Sequence, residues 1–243
     1  MRRSRLWRPL GVAYAELILW RRQWMWIAQD AVWTLSLPLI FYFWGGLKAL
    51  KSLVVASFVA TGWTVGVNLV GQTVGWQRVS RIQEALVASP LSPSDYFVGT
   101  VLGQIPYFLT EYTAFTLLAL WLEVSPAGVA ALYALSFASL VLGSFLSLAV
   151  VLRIKNPMNI SAVTNPLVTV TIILPPVWYP LSALPEVARL PALLAPTAAL
   201  AELARWVAGL GCMDPAVPLL VTFVWIAGTG VALKSALHWG LEK

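Results

Sequence analysis

Charge is scarce in this chain. Only 11% of its 243 residues are Asp, Glu, Lys or Arg, less than half the roughly 25% usual in a soluble domain. Cysteine occurs once, at Cys212, and histidine once, at His238. A lone cysteine closes no intrachain disulfide and builds no cysteine metal cluster, and a lone histidine excludes a paired-histidine zinc or haem site. The G-x-x-x-x-G-K-[ST] phosphate loop is also missing. Its nearest approach, Gly228 to Ser235, has Leu233 where the second glycine must stand, so the backbone cannot wrap a phosphate in that fashion. Neither H-E-x-x-H nor G-x-S-x-G occurs. No constellation for covalent or metal catalysis is present.

What remains is apolar. Hydrophobic residues make up 59% of the chain, and thirteen residues are Trp. A soluble fold of this size has too little polar surface to cover so much apolar matter. The composition excludes a soluble enzyme, a disordered protein and a secreted disulfide scaffold, and predicts a polytopic membrane protein. The formal charge is +6, and six of the sixteen basic residues fall in the first 22 positions, beside apolar runs. That placement suits an anionic membrane face rather than nucleic acid. Ala13-Tyr14-Ala15 mimics a signal-peptide cleavage triplet, but the apolar run before it is interrupted by Arg8 and Pro9 and is too short. Instead, Leu10, Tyr14, Leu17, Ile18 and Trp24 share one helical face, with Arg21 and Arg22 at its end. Residues 1–26 are therefore expected to hold an amphipathic helix lying in the cytoplasmic interface.

A membrane span needs about 20 mainly apolar residues. Six segments qualify: Ile27 to Leu47, Ser52 to Trp76, Asp95 to Leu122, Pro126 to Leu152, Met158 to Tyr179 and Pro215 to His238. The stretch 181–210 is apolar but carries Pro185, Pro191 and Pro196 together with Glu186, Arg189, Glu202 and Arg205. It reads as two short helices re-entering the outer leaflet, which is tolerated where protein or water covers the irregular backbone. With the N-terminus inside, the inner segments hold Arg2, Arg3, Arg5, Arg8, Arg21, Arg22, Arg78, Arg81, Arg153, Lys155, Lys234 and Lys243. The outer ones hold Lys48, Lys51, Arg189 and Arg205. Twelve against four obeys the positive-inside rule, so both termini are expected in the cytoplasm of a plasma-membrane protein. Trp7, Trp20, Trp24, Trp26, Trp44, Trp76, Trp121 and Trp178 fall near predicted helix ends, at headgroup level.

Three G-x-x-x-G pairs occur: Gly62/Gly66, Gly71/Gly75 and Gly99/Gly103. Small residues one turn apart let helix backbones approach closely, either within the chain or between subunits. The longest inside loop, 77–93, has a pattern of its own. Val79, Ile82 and Leu86 share one helical face, Arg78, Arg81 and Glu84 turn away, and Ser89-Pro90-Leu91-Ser92-Pro93 stops the helix. Such a helix lies on lipid or docks into a partner's groove. Within the spans, Glu111 stands among Thr110, Tyr112, Thr113 and Thr116. An ionisable group at that depth costs ~2.5–3.5 kcal/mol on insertion scales. It is therefore expected either to line a pathway or to be held neutral by a neighbouring hydroxyl. Asp30 reads either as an N-cap of the first span or as a pathway group.

Glu84-Ala85-Leu86-Val87-Ala88-Ser89-Pro90-Leu91-Ser92, followed by Asp95-Tyr96-Phe97-Val98-Gly99, resembles the signature of the ABC type-2 transporter permeases. Pro180-Leu181-Ser182-Ala183-Leu184-Pro185, continuing through Pro196 to Arg205, resembles their second signature before the final span. The chain departs from that pattern at Gln77, Val79, Arg81 and Ala195. The resemblance spans nearly the whole chain. It implies an all-α integral membrane protein with six transmembrane helices, an N-terminal amphipathic helix, a short cytoplasmic coupling helix and re-entrant helices before the last span, all in one permease domain (1–243). It implies no enzyme activity and no cofactor on this chain, with ATP and Mg bound by a separate ABC ATPase subunit. It implies a homodimer or paired permease in contact with membrane lipids, and no nucleic acid. Arg78, Arg81, Ile82, Glu84, Leu86 and Pro90 would then touch the ATPase, while Glu111, Thr113 and Asp30 are candidates for the pathway. The implied function is export. The alternatives are a proton-coupled secondary transporter using Glu111, a lipid-modifying membrane enzyme, and a scaffold for another complex.

Overall fold

The computed structural model describes residues 7–22 and 24–236, without the side chains of residues 20–22, 24, 26, 27, 30, 83, 87, 106–108, 110, 157 and 236. The expectations for Arg2, Arg3, Arg5, His238 and Lys243 lie outside the described residues, as do those for the side chains of Trp20, Arg21, Arg22, Trp24, Trp26, Asp30 and Thr110. Everything regular among the described residues is helical.

Helix α1 (Trp7–Arg22) comes first. It turns Leu10, Tyr14, Leu17 and Ile18 outward and buries Val12 and Glu16 against the protein. This inverts the pattern of a soluble surface helix, whose outward face is polar. Helix α2 (Trp24–Thr64) follows and contains Pro38 and a break at Gly46, with φ 64° and ψ −161°. The positive φ is a conformation glycine adopts without steric cost. Before the break α2 is mostly exposed, with Trp33, Leu39, Phe43 and Trp44 facing outward. Beyond it, from Leu53 to Ala60, the helix is fully enclosed. A π-helical turn (Val65–Val70) and α3 (Gly71–Val79) carry the same rod onward. A short helix α4 (Ile82–Ala88) leads to α5 (Pro93–Gly103) and α6 (Ile105–Trp121). Then come α7 (Pro126–Val151), α8 (Ile160–Ile173), α9 (Glu186–Leu193), α10 (Pro196–Val207) and α11 (Ala216–Ala236).

Three of these stretches are long and apolar enough to cross a bilayer: Ala31–Val79, Pro126–Val151 and Ala216–Ser235. The bent pair α9–α10, angled at 110°, makes a fourth if counted as one crossing. The six sequence-defined spans map unevenly onto this set. The first two are joined in one rod broken at Gly46. The third is broken at Gln104, which lies between α5 and α6. The fifth is represented by α8, only 14 residues long. Asp30 is not an N-cap, because α2 begins upstream at Trp24. The apolar run Trp24 to Ile27 simply extends the helix in that direction.

The centre of the bundle is the enclosed half of α2 against α7. A Cβ on Gly62 would strike the Ser136 backbone, and one on Gly66 would strike the backbone of Leu140 and Ser144. At that approach, hydroxyls on α7 reach the facing carbonyls. Ser136, Ser139 and Ser147 donate to Phe58, Val59 and Val67 at 2.6, 2.8 and 2.6 Å. Small residues and hydroxyl donors are the usual adhesive between helices in lipid, where no hydrophobic force draws them together. Around this seam Phe58, Tyr112, Phe115, Leu132 and Leu200 form the largest apolar cluster. Gly71 and Gly75 face Ser147, Thr164 and Ile160, and Gly99 and Gly103 face Pro9, Val12, Ala13 and Glu16 of α1. All three G-x-x-x-G pairs are therefore filled from within the chain.

Candidate functional site: the α1–α4 cleft

The segment after α3 is built locally. Ser80 ends that helix, its hydroxyl donating to the Trp76 carbonyl at 2.7 Å. Arg81 then adopts a left-handed conformation, φ 57°, and starts α4. The helix expected across 77–87 is thus two pieces, α3 and α4, parted at Ser80–Arg81. One L-residue in the left-handed region turns the chain where a continuous helix could not. After Pro90, Ser92 and Asp95 form a reciprocal capping box. The Asp95 N–H donates to Ser92 Oγ and the Ser92 N–H donates to Asp95 Oδ2, both at 3.1 Å. Pro93 occupies the first turn, where its missing N–H costs nothing. The Ser-Pro-Leu-Ser stretch is therefore a helix start as well as a stop.

The six residues singled out in this loop separate into two groups. Arg81, Ile82, Glu84 and Pro90 are exposed. Arg78 is half-buried and donates to the Ile154 carbonyl at 3.2 Å, so it ties α3 to the turn after α7. Leu86 is half-buried and packs on the apolar cluster of Val12, Val74, Tyr96 and Leu148. The pathway candidates lie elsewhere. Glu111 is half-buried on α6 and Thr113 is exposed, its hydroxyl donating back to the Leu109 carbonyl at 2.6 Å. The structure does not bring Glu111, Thr113 and the α2 position of Asp30 to the α4 loop.

What gathers at the α4 end is a cleft of about 980 Å³ bounded by α1, the π-helical turn, α3, α4 and α8. Its wall carries amides that the sequence reading did not single out. Asn68, in the π-helical turn, accepts from Gln72 Nε2 and from Thr164 Oγ1, the latter at 3.1 Å. Gln72 Nε2 also reaches Asn165 Oδ1 at 3.0 Å. Irregular π-turns are frequent at functional sites, and this one places Asn68 one turn before Gln72, facing α8. The available signal was the pair of amides at i and i+4 within an apolar run, opposite Thr164-Asn165-Pro166.

On the α1 side of the cleft, Gln77 donates to Glu16 Oε1 at 2.7 Å and accepts from the Tyr96 hydroxyl. Arg8 donates to the Pro90 carbonyl at 2.7 Å. Burial raises the Glu16 carboxyl above the ordinary carboxylate value, and the Gln77 donor opposes that shift in part. Glu16 is a buried ionisable group that the helix periodicity of residues 1–26 does not single out.

At the far end of the bundle, Arg205 and Glu202 are enclosed on α10. Arg205 Nε donates to Ser52 Oγ at 3.0 Å, and its terminal nitrogens donate to the carbonyls of Pro176 and Val177. Glu202 Oε1 accepts the Cys212 N–H at 2.6 Å. The sequence assigns Arg205 to an outer segment; the structure buries it in the core, where it binds α10 to α2 and to the turn after α8.

These helices make a multi-pass membrane protein. The family model for the ABC-2 type transporter membrane component matches residues 12–208, so the chain belongs to that family. It is a membrane-embedded permease subunit of an ABC transporter. No curated protein matches it.

Proposed function

We propose that this chain is the permease of an ATP-driven exporter, that two such permeases pair to form the pathway, and that a separate ABC ATPase drives them. The family match over residues 12–208 carries this reading. The α4 loop supports the ATPase contact. Arg81, Ile82, Glu84 and Pro90 present an exposed ridge, while Leu86 and Arg78 anchor it to the bundle, so a push on α4 reaches the helices. Transport is then a shift between inward-open and outward-open states, biased by what the ATPase has bound.

The six-span layout with both termini in the cytoplasm belongs to this proposal. Ala31–Val79 has 49 residues, which at about 1.5 Å each extend about 73 Å, more than twice a ~30 Å hydrocarbon core. Division at Gly46 into two crossings accommodates that length. The 110° bend between α9 and α10 suits a re-entrant pair at the outer face. Asn68, Gln72 and Asn165 line the inner part of the pathway. Glu111, with Thr113 beside it and Asp30 on the neighbouring rod, is the ionisable candidate farther along.

A mild-detergent pull-down of the tagged chain from its native plasma membrane, followed by mass spectrometry, tests this reading. A stoichiometric partner carrying a phosphate-binding loop is expected. Repeated recovery without an ATPase, while a control transporter complex survives the same conditions, would overturn it in favour of a secondary transporter centred on Glu111.

A further inference from the structure

Helix α5 is held unequally by its neighbours. It meets α1 backbone to backbone. A Cβ on Gly99 would strike the Pro9 carbonyl oxygen and Val12, and one on Gly103 would strike Glu16. Arg8 adds its bond to Pro90, on the chain leading into α5. Helices this close cannot slide past each other without a clash. Against the rest of the bundle, α5 reaches out through long side chains. Phe97 meets Phe145 of α7 with ring centroids 5.9 Å apart, and the Tyr96 hydroxyl reaches Gln77 of α3. Contacts of that kind re-form after a small shift, so this boundary yields before the one with α1.

The helical rod is also interrupted where α5 becomes α6. The Gln104 N–H donates to the Val101 carbonyl at 3.1 Å, three residues back instead of four. Pro106, in the first turn of α6, has no N–H for the Leu102 carbonyl four residues before it. A ladder missing bonds at one point bends there. The Gln104 side chain is fully enclosed. Its amino group donates to Thr73 Oγ1 of α3 at 3.3 Å, and its carbonyl oxygen has no partner among the described residues. An enclosed acceptor left unpaired disfavours the arrangement that leaves it so, and the joint is not locked at one angle.

We propose that α1 and α5 swing as one body about Gln104, and that this swing opens and closes the α1–α4 cleft. Glu16 and Pro90 line the cleft on the moving side, Asn68 and Asn165 on the side that stays. Gln77, on α3, bonds both Glu16 and Tyr96 of the moving body, so a single amide is the catch that lets go. A push on the α4 loop enters α5 through Pro90 to Pro93 and turns it about the break. That the swing serves transport rests on the permease reading above; the division into two bodies does not.

Spin labels on the intact chain in lipid nanodiscs test this. The one cysteine is first replaced, Cys212→Ser, and labelled chain is diluted with unlabelled chain. Labels at Leu17 and Ser94 report on α1 against α5, and labels at Ser94 and Leu117 report across Gln104; all three positions are exposed. Double electron–electron resonance is expected to give one narrow distance distribution for the first pair and a distribution about twice as broad for the second. Pro106→Ala restores an N–H to the break and should narrow the second distribution alone. With the co-purified ATPase present, exchange of ADP for a non-hydrolysable ATP analogue should shift the second distance and leave the first in place. A first pair as broad as the second overturns the proposal. So does breadth unchanged by Pro106→Ala, or a nucleotide shift in both pairs or in neither. The comparison of the two pairs needs no variant at the break and no ATPase. Failure to recover an ATPase therefore counts against the permease reading alone, and the hinge is judged by the labels.

Discussion

The side-chain amide of Gln77 donates a 2.7 Å hydrogen bond to the Glu16 carboxylate, 61 positions earlier in the chain. The same amide accepts from Tyr96, and Arg8 holds the Pro90 carbonyl. Gln77 precedes the α4 loop, whereas Pro90 and Tyr96 follow it, so α1 splints both sides of the loop. Gly99 and Gly103 allow this because any larger side chain would push α1 away.

The splint should loosen with rising pH. The Glu16 carboxyl titrates above its ordinary value of 4.5, so the folded state favours its protonated form. Its contribution to α1 docking is complete below that value and is lost as pH rises through the folded pKa. The protection of α1 amides, taken relative to their intrinsic base-catalysed exchange rate, should therefore fall across that window in the wild type. Glu16→Gln should flatten the profile and keep α1 docked, because Gln still accepts from Gln77. A profile unchanged by Glu16→Gln would remove Glu16 from the joint.

The α4 ridge separates contact from folding. Ile82→Asp changes an exposed side chain, so insertion and thermal stability should stay within about 0.5 kcal/mol of wild type, while ATP hydrolysis should uncouple from transport. Leu86→Asp should uncouple too, but it also places a charge against Val74 and Tyr96, so its unfolding midpoint should fall. Arg81→Gly should fold at least as well, since glycine relieves the left-handed strain. Paired ATPase and transport assays in reconstituted vesicles check all three. Full coupling in Ile82→Asp would move the ATPase contact off α4.

The helical character of this chain was legible from composition, and α7 and α11 stood close to where their apolar runs placed them, since an uninterrupted run bounded by Pro126 or Pro215 leaves little choice. The loop pattern at 89–95 was legible for a similar reason: Ser, Pro and Asp act on their immediate neighbours. What was not legible depended on distant partners. By contrast, the Gly46 break falls where the first expected span, Ile27 to Leu47, already ends, and the Gln104 break has a local signal in Pro106, in the first turn of α6. Glu16 carries no signal of its own and Arg205 reads only as a charge of an outer segment, because a one-dimensional reading cannot see Gln77 arrive from 61 residues away or the Val177 carbonyl from 28. Asn68 and Gln72 carry no charge to mark them within their apolar run.

The α2–α7 seam leaves no room at Gly66. Gly66→Leu would drive its side chain into the Leu140 and Ser144 backbone, which cannot give way as a flexible side chain would. A loss of about 1–3 kcal/mol or more is expected from overpacking, seen as a lower unfolding midpoint in detergent. Gly228 is the contrast, because a Cβ added there would meet nothing within 4 Å. Gly228→Ala should be neutral or stabilising by up to about 1 kcal/mol. Equal behaviour of the two variants would mean that the seam is not closely packed.

The enclosed Arg205 gives the sharpest test of the opposite end. Its guanidinium holds Ser52 on α2 and two carbonyls in the turn after α8, with Glu202 4.0 Å away on the same helix. Arg205→Met removes the cation but leaves an enclosed carboxylate and orphaned carbonyls, a change expected to cost about 3–5 kcal/mol. Arg205→Lys should recover only part of this, because an ammonium cannot reach three acceptors in the planar fork of a guanidinium. Adding Glu202→Gln to Arg205→Met removes the uncompensated charge while keeping an acceptor for the Cys212 N–H, so the double variant should be more stable than the single. Thermal unfolding of the wild type, Arg205→Met, Glu202→Gln and the double variant in one detergent reads the cycle, with Arg205→Lys measured beside them. If the double variant is no more stable than Arg205→Met, then the cost comes from the lost carbonyl bonds, and Arg205 acts as a clamp on the turn rather than as the partner of Glu202.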